Sequence, residues 1–125
     1  MACGIEVREC LGFPPADAQR MRLAEALAPR AAECAADPWA ACLGQVTMYL
    51  SGGDHWKNWS AALKPLILDG QSVSGVNYGM WPAASPEGRR LGLAGNTALR
   101  ALTLDVYYRY TWLLGGPGWY PLYRE

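Results

Sequence analysis

The stretch Gly52-Gly53-Asp54-His55-Trp56-Lys57-Asn58-Trp59, continued to Gln71 and closed by Gly79-Met80-Trp81, decides how this chain folds. Its paired glycines end a preceding helix, because glycine takes the left-handed conformation of a helix C-terminus without a steric penalty. Asp54 is placed to cap the next helix, its carboxylate accepting N–H groups that lack a partner in the first turn. Trp56, Trp59, Leu63 and Ile67 then recur at helical spacing and make one face apolar. Gln71 ends that helix, and a glycine-rich loop delivers Trp81 ten residues later. The pattern is a helix-to-helix connection with a polar anchor and an aromatic plug.

Upstream, Asp37-Pro38 marks another helix start: a capping carboxylate, then proline where no N–H is needed. The helix behind it, 38–51, carries no charge on any face, so it has to pack on several sides. Before it lie a helix at 2–11, with Cys3, Val7, Cys10 and Leu11 on its inner side, and one at 16–28, with Met21, Ala24 and Leu27 inward. The alanines around Glu33 make a helical turn or an irregular link. The helix at 55–70 contains Pro65, which removes a backbone hydrogen bond and predicts a bend or split. Residues 72–95 read as loop, since Ser, Gly and Pro recur without a period. A last helix at 97–114 is nearly apolar, relieved by Arg100 and an Asp105–Arg109 pair at i,i+4. An aromatic tail, 115–125, follows.

No strand pattern appears. Helices with a wet face (16–28, 55–70) alternate with helices that have almost none (38–51, 97–114), which predicts an outer amphipathic row against an inner buried row. A plain helical bundle is the alternative. One domain spanning 1–125 is expected at this length.

Eleven basic and eleven acidic residues cancel, so the charge balance does not suggest a nucleic-acid surface. The uncharged helical run 38–53 falls short of the ~20 residues that cross a bilayer, and no membrane span is expected. Cys3, Cys10, Cys34 and Cys42 form no Cys-x-x-Cys pair and read as small apolar residues in a reducing, cytoplasmic setting.

The Gly52–Trp59 segment, the Gln71…Gly79-Met80-Trp81 connection, and Gly95-Asn96-Thr97-Ala98-Leu99 running into Val106-Tyr107-Tyr108-Arg109-Tyr110 together resemble the prenyltransferase/squalene-oxidase repeat proteins. These belong to the terpenoid cyclase and protein prenyltransferase superfamily, and the likeness spans roughly residues 5–110. The family's QW motif uses a glutamine at a helix end and a tryptophan packed on the next repeat; here that spacing is longer. The resemblance implies an all-α fold of αα-hairpin repeats, about five helices forming an arc of an α/α toroid. It gives Gln71, Gly79, Trp81, His55, Trp56 and Trp59 a structural role in the repeat.

The superfamily's chemistry is not carried over with the fold. Asp17, Asp37, Asp54, Asp69 and Asp105 are too scattered for the aspartate-rich motif of the cyclases, and the lone His55 has no Asp–Cys partnership of the zinc-binding kind. No catalytic residue, metal or cofactor is therefore expected. The expected function is contact through helix faces, by self-association or with a protein partner. An alternative is an isoprenoid or lipid ligand on an apolar surface lined by Trp39, Tyr49, Tyr107, Tyr108 and Trp112. A fragment of a larger cyclase-like or prenyltransferase-like enzyme is the third reading.

Overall fold

The computed structural model describes residues 2–14 and 16–113, with side chains followed as far as Val106, that of Glu9 excepted. Among the described residues every regular element is helical: α1 (Ala2–Cys10), α2 (Ala18–Leu27), α3 (Ala31–Ala36), α4 (Pro38–Ser51), α5 (Gly53–Asp69) and α6 (Pro86–Leu113). A single 3-10 turn, Ala28–Arg30, leads from α2 into α3.

Local chemistry sets most of these boundaries. Asp37 caps α4 as its sequence predicts, with Oδ1 accepting the N–H groups of Trp39 (2.8 Å) and Ala40 (3.2 Å). Asp17 caps α2 by accepting the N–H of Arg20 at 3.0 Å. Gly52, at φ 70°, terminates α4 and donates to the carbonyls of Met48 and Tyr49. Gly52 also stands at the N-cap position of α5, so Asp54 lies inside the first turn and is not the cap. There its carboxylate still meets the positive end of the helix, 3.7 Å from Lys57 Nζ.

Two expectations about helix length are corrected. Pro65 does not split α5, which runs unbroken from Gly53 to Asp69. The carbonyl deprived of its donor is that of Ala61, on the exposed side where water serves, while Trp59, Leu63 and Ile67 hold the other side buried. The span 72–95 is not all loop: α6 begins at Pro86, with Ser85 Oγ accepting the N–H of Gly88 at 3.0 Å. Proline is harmless in a first turn, so the serine and proline there act as a start signal. Gly92, at φ 70°, then breaks the helix into a short leading turn and a long body.

Contacts between helices fix their directions. Gly44 packs on Trp59 and Tyr49 on Trp56, so α5 runs against α4. Arg100 reaches Ala35 just before α4, and the Thr103 hydroxyl meets the Cys42 thiol, so α6 runs along α4. Arg20 of α2 bonds Leu50 at the end of α4, while the other end of α2 leads through α3 into the start of α4, so α2 runs against α4. Gly4 lies against Leu23 and Arg8 reaches Asp17, so α1 runs against α2 and therefore along α4. Thus α1, α4 and α6 share one direction and α2 and α5 take the other. Uncharged α4 stands at the centre and touches all five other helices.

The facing of α1 reverses expectation. Ile5 is its buried residue, while Val7 is 57% and Leu11 70% exposed and Cys3 and Cys10 face outward. Apolar residues lie on both sides of this short helix, so its polar contacts choose the rotation. Glu6 accepts from the Thr47 hydroxyl at 3.1 Å, and Arg8 makes a two-pronged bond to Asp17 at 2.7 and 3.1 Å. The Arg8 guanidinium, which also lies 4.0 Å over the Phe13 ring, holds the Asp17 carboxyl below the usual carboxylate range.

Candidate functional site

The connection between α5 and α6 is built around Gln71 and Trp81. Gln71 Nε2 donates to the Gly79 carbonyl at 2.8 Å, and Ser72 exchanges backbone bonds with Gly79 and Met80 at 2.8 Å each. Gly79 sits at φ 78°, a left-handed conformation that a side chain would strain. Trp81 is buried, its indole N–H donating to the Ile67 carbonyl at 2.6 Å and its backbone N–H to Thr97 Oγ1 at 3.1 Å. Asn96 Nδ2 closes the arrangement on the carbonyls of Trp81 (2.7 Å) and Pro82 (3.2 Å). One tryptophan therefore ties the end of α5 to the body of α6 through directed bonds on three sides. Glutamine and tryptophan act on different carbonyls, Gln71 on that of Gly79 and Trp81 on that of Ile67.

The other tryptophans of the motif sit deeper along α5. Trp59 is buried against Gly44, where an added Cβ would come within 2.7 Å of ring atom Cζ2. Trp56 is half-buried and meets Tyr49 edge-on, with centroids 5.2 Å apart and planes at 84°. His55 is half-buried in the first turn of α5.

The residues expected to line one apolar surface are not gathered in one place. Tyr49 is 5% exposed, spent on Trp56 and the α4–α5 contact, whereas Trp39 is 49% exposed at the opposite end of α4. Ten helical residues separate them, about 15 Å along the axis. The side chains of Tyr107, Tyr108, Trp112 and Arg109 lie outside the described residues, so the expected Asp105–Arg109 pair does too. Asp105 itself is half-buried.

A different surface does form. Leu43, Val46 and Leu50 continue from Trp39 along α4 at helical spacing and are only half-buried, although α4 was expected to have no open side. Val7 on α1 and Leu102 on α6, 57% and 45% exposed, stand on the two helices that flank α4 in the same direction. Spacing could find this α4 strip, whereas the exposure of Val7 and Leu102 depended on how α1 and α6 are rotated.

Elsewhere a cavity of about 340 Å³ opens between α1, α3 and α4, lined by Cys3, Leu27, Arg30, Cys34 and Asp37 among others. Its cation is committed: Arg30 pairs in two-pronged fashion with Glu33, which raises the arginine pKa and lowers that of the carboxyl. Burial pushes the Cys34 and Cys42 thiols up, making them poor nucleophiles, while Cys3 and Cys10 are exposed and not the core residues expected. Among the described residues no three His, Cys, Asp or Glu side chains group to hold a metal ion, and no helix is long and apolar enough to cross a membrane. No protein-family model, curated protein or solved structure matches this chain.

Proposed function

We propose that this chain is a non-catalytic αα-repeat unit of the toroid type that works by helix-face association. The observation that carries the reading is the shared direction of α1, α4 and α6, with α2 and α5 running against them. That is the order expected when αα-hairpins are laid side by side. Along α4 the uncharged strip of Trp39, Leu43, Val46 and Leu50 stays exposed or half-buried, and Val7 on α1 and Leu102 on α6, both of which touch α4, are themselves about half exposed. An apolar face of this kind is covered when further repeats or a protein partner pack on it. Light scattering across a concentration series tests self-association: the mass should climb above that of a single chain, and a strict monomer throughout would refute association between copies of this chain.

Trp39 favours a second reading, an isoprenoid chain lying along the same face, because an exposed indole beside Leu43 and Val46 suits a flexible apolar ligand. Farnesyl and geranylgeranyl compounds should then quench tryptophan emission saturably, and Trp39→Phe should remove the change. A linear, non-saturating response would end this reading.

A further inference from the structure

The loop that joins α5 to α6 turns its apolar residues outward. We propose that residues 73–78 form a lipid-contact site, which sets Val73, Val76 and Tyr78 into the surface of a zwitterionic bilayer. The site uses none of the residues on the α4 strip, so it stands apart from the association reading above.

Exposure marks the place. Val76 is 99% exposed, Val73 80% and Tyr78 72%, the three most exposed large apolar side chains among the described residues. Single exposed apolar residues are ordinary, but three in one short loop are not. The loop is also held in this shape. The N–H of Ser72 donates to the Met80 carbonyl and that of Gly79 to the Ser72 carbonyl, at 2.8 Å each, which closes its base. Gln71 Nε2 braces the same base through the Gly79 carbonyl. A loop fixed beforehand loses little conformational freedom when it binds.

Its chemistry favours lipid over a protein pocket. Between Asp69 and Glu87 the sequence carries no charge that would have to shed its water. The N–H groups of Ser72, Tyr78, Gly79 and Met80 all meet carbonyls inside the loop, and backbone already paired leaves water at low cost. A protein interface uses such groups for directed bonds to its partner, and here they are spent within the loop. Tyrosine suits the boundary itself, with its ring against the acyl chains and its hydroxyl among the headgroups.

Co-sedimentation with phosphatidylcholine vesicles tests the site. A contact of this size binds weakly and reversibly, so the parent should pellet only as lipid reaches the millimolar range. Added salt or phosphatidylglycerol should change little, because charge takes no part. Val76→Asp should cut partitioning about tenfold or more, since the burial of one valine is lost. Val73→Ser should lower it in the same direction. Both positions lie in solvent, so circular dichroism of the variants should match the parent. The site falls if the parent stays in the supernatant at every lipid concentration, which would leave the loop to a protein partner. It also falls if Val76→Asp pellets as the parent does. Pelleting that needs phosphatidylglycerol and is released by salt would overturn it too, as a contact driven by charge. The mass measured by light scattering without lipid is independent of all these outcomes, so the two readings can fail separately.

Discussion

Gln45 is the residue most at odds with its surroundings. Its side chain is fully buried on α4, yet neither its amide nitrogen nor its oxygen has a hydrogen-bond partner among the described residues. An unsatisfied buried amide costs about 1–3 kcal/mol, and methionine has nearly the same shape without that penalty. Gln45→Met should therefore raise stability by about 1 kcal/mol in urea unfolding; a clear loss would mean that the amide has a partner which these contacts do not include. Trp81 is the opposite case, with its polar edge fully used. Trp81→Phe keeps most of the ring but leaves the Ile67 carbonyl without its donor, a loss of about 1–2 kcal/mol. Trp81→Ala should cost about 3–5 kcal/mol, and a drop in urea midpoint no greater than that of the phenylalanine variant would refute the plug role.

Asp17 titrates in a way that unfolding can read. Its pKa is lowered chiefly by the side-chain bond from Arg8, and further by the N–H of Arg20 that it caps. A carboxyl depressed on folding stabilises the fold fully above its unfolded pKa, near 4, and the contribution fades as pH falls through the lower folded value. Asp17→Asn should thus be less stable than the parent at neutral pH. The gap should close steadily in denaturation series taken below pH 4; a gap independent of pH would rule the carboxylate out as its source.

At the scale of elements, α4 and α5 are held together by a close approach that only glycine permits. Alanine at position 44 would gain up to about 1 kcal/mol in helix propensity. Its Cβ would, however, meet the buried Trp59 ring at 2.7 Å. Overpacking of this kind costs about 1–3 kcal/mol, so Gly44→Ala should lower the thermal midpoint. A midpoint above that of the parent would show that the indole moves aside freely. The α3–α6 contact depends on charge instead. Arg100 is 9% exposed and donates to the carbonyls of Ala35 (2.6 Å) and Ala36 (3.5 Å) at the end of α3, where a cation also faces the negative end of the helix. Burial lowers its pKa from the ordinary arginine value, and the Asp37 carboxylate opposes that shift.

For the molecule as a whole, the residues between 2 and 51 and those from 53 onward meet chiefly through α4. Composition alone marks α4 as central, because a helix without charge has to be covered. Its cap at Asp37, the left-handed stop at Gly52 and the buried stripe of α5 were legible for a related reason: each depends on neighbours within a turn or two. What could not be read were the rotation of α1 and the burial of two arginines, for the expected α2 stripe of Ala24 and Leu27 is indeed buried. Arg20 is 1% exposed and donates to the carbonyls of Phe13 and Leu50, the latter 30 residues away, while the Ala35 carbonyl that receives Arg100 is 65 residues away. Short-range periodicity gives a charged residue to the wet side, and it is only when distant helix ends arrive with unpaired carbonyls that an arginine is drawn inward. The sequence alone thus determined that this chain is helical, where most helices begin and end, and which one lies at the middle. Which side of α1 faces water, and therefore where an apolar surface is left open, was decided by tertiary bonds such as Glu6–Thr47, because the hydrophobic pattern of so short a helix fits two rotations equally well.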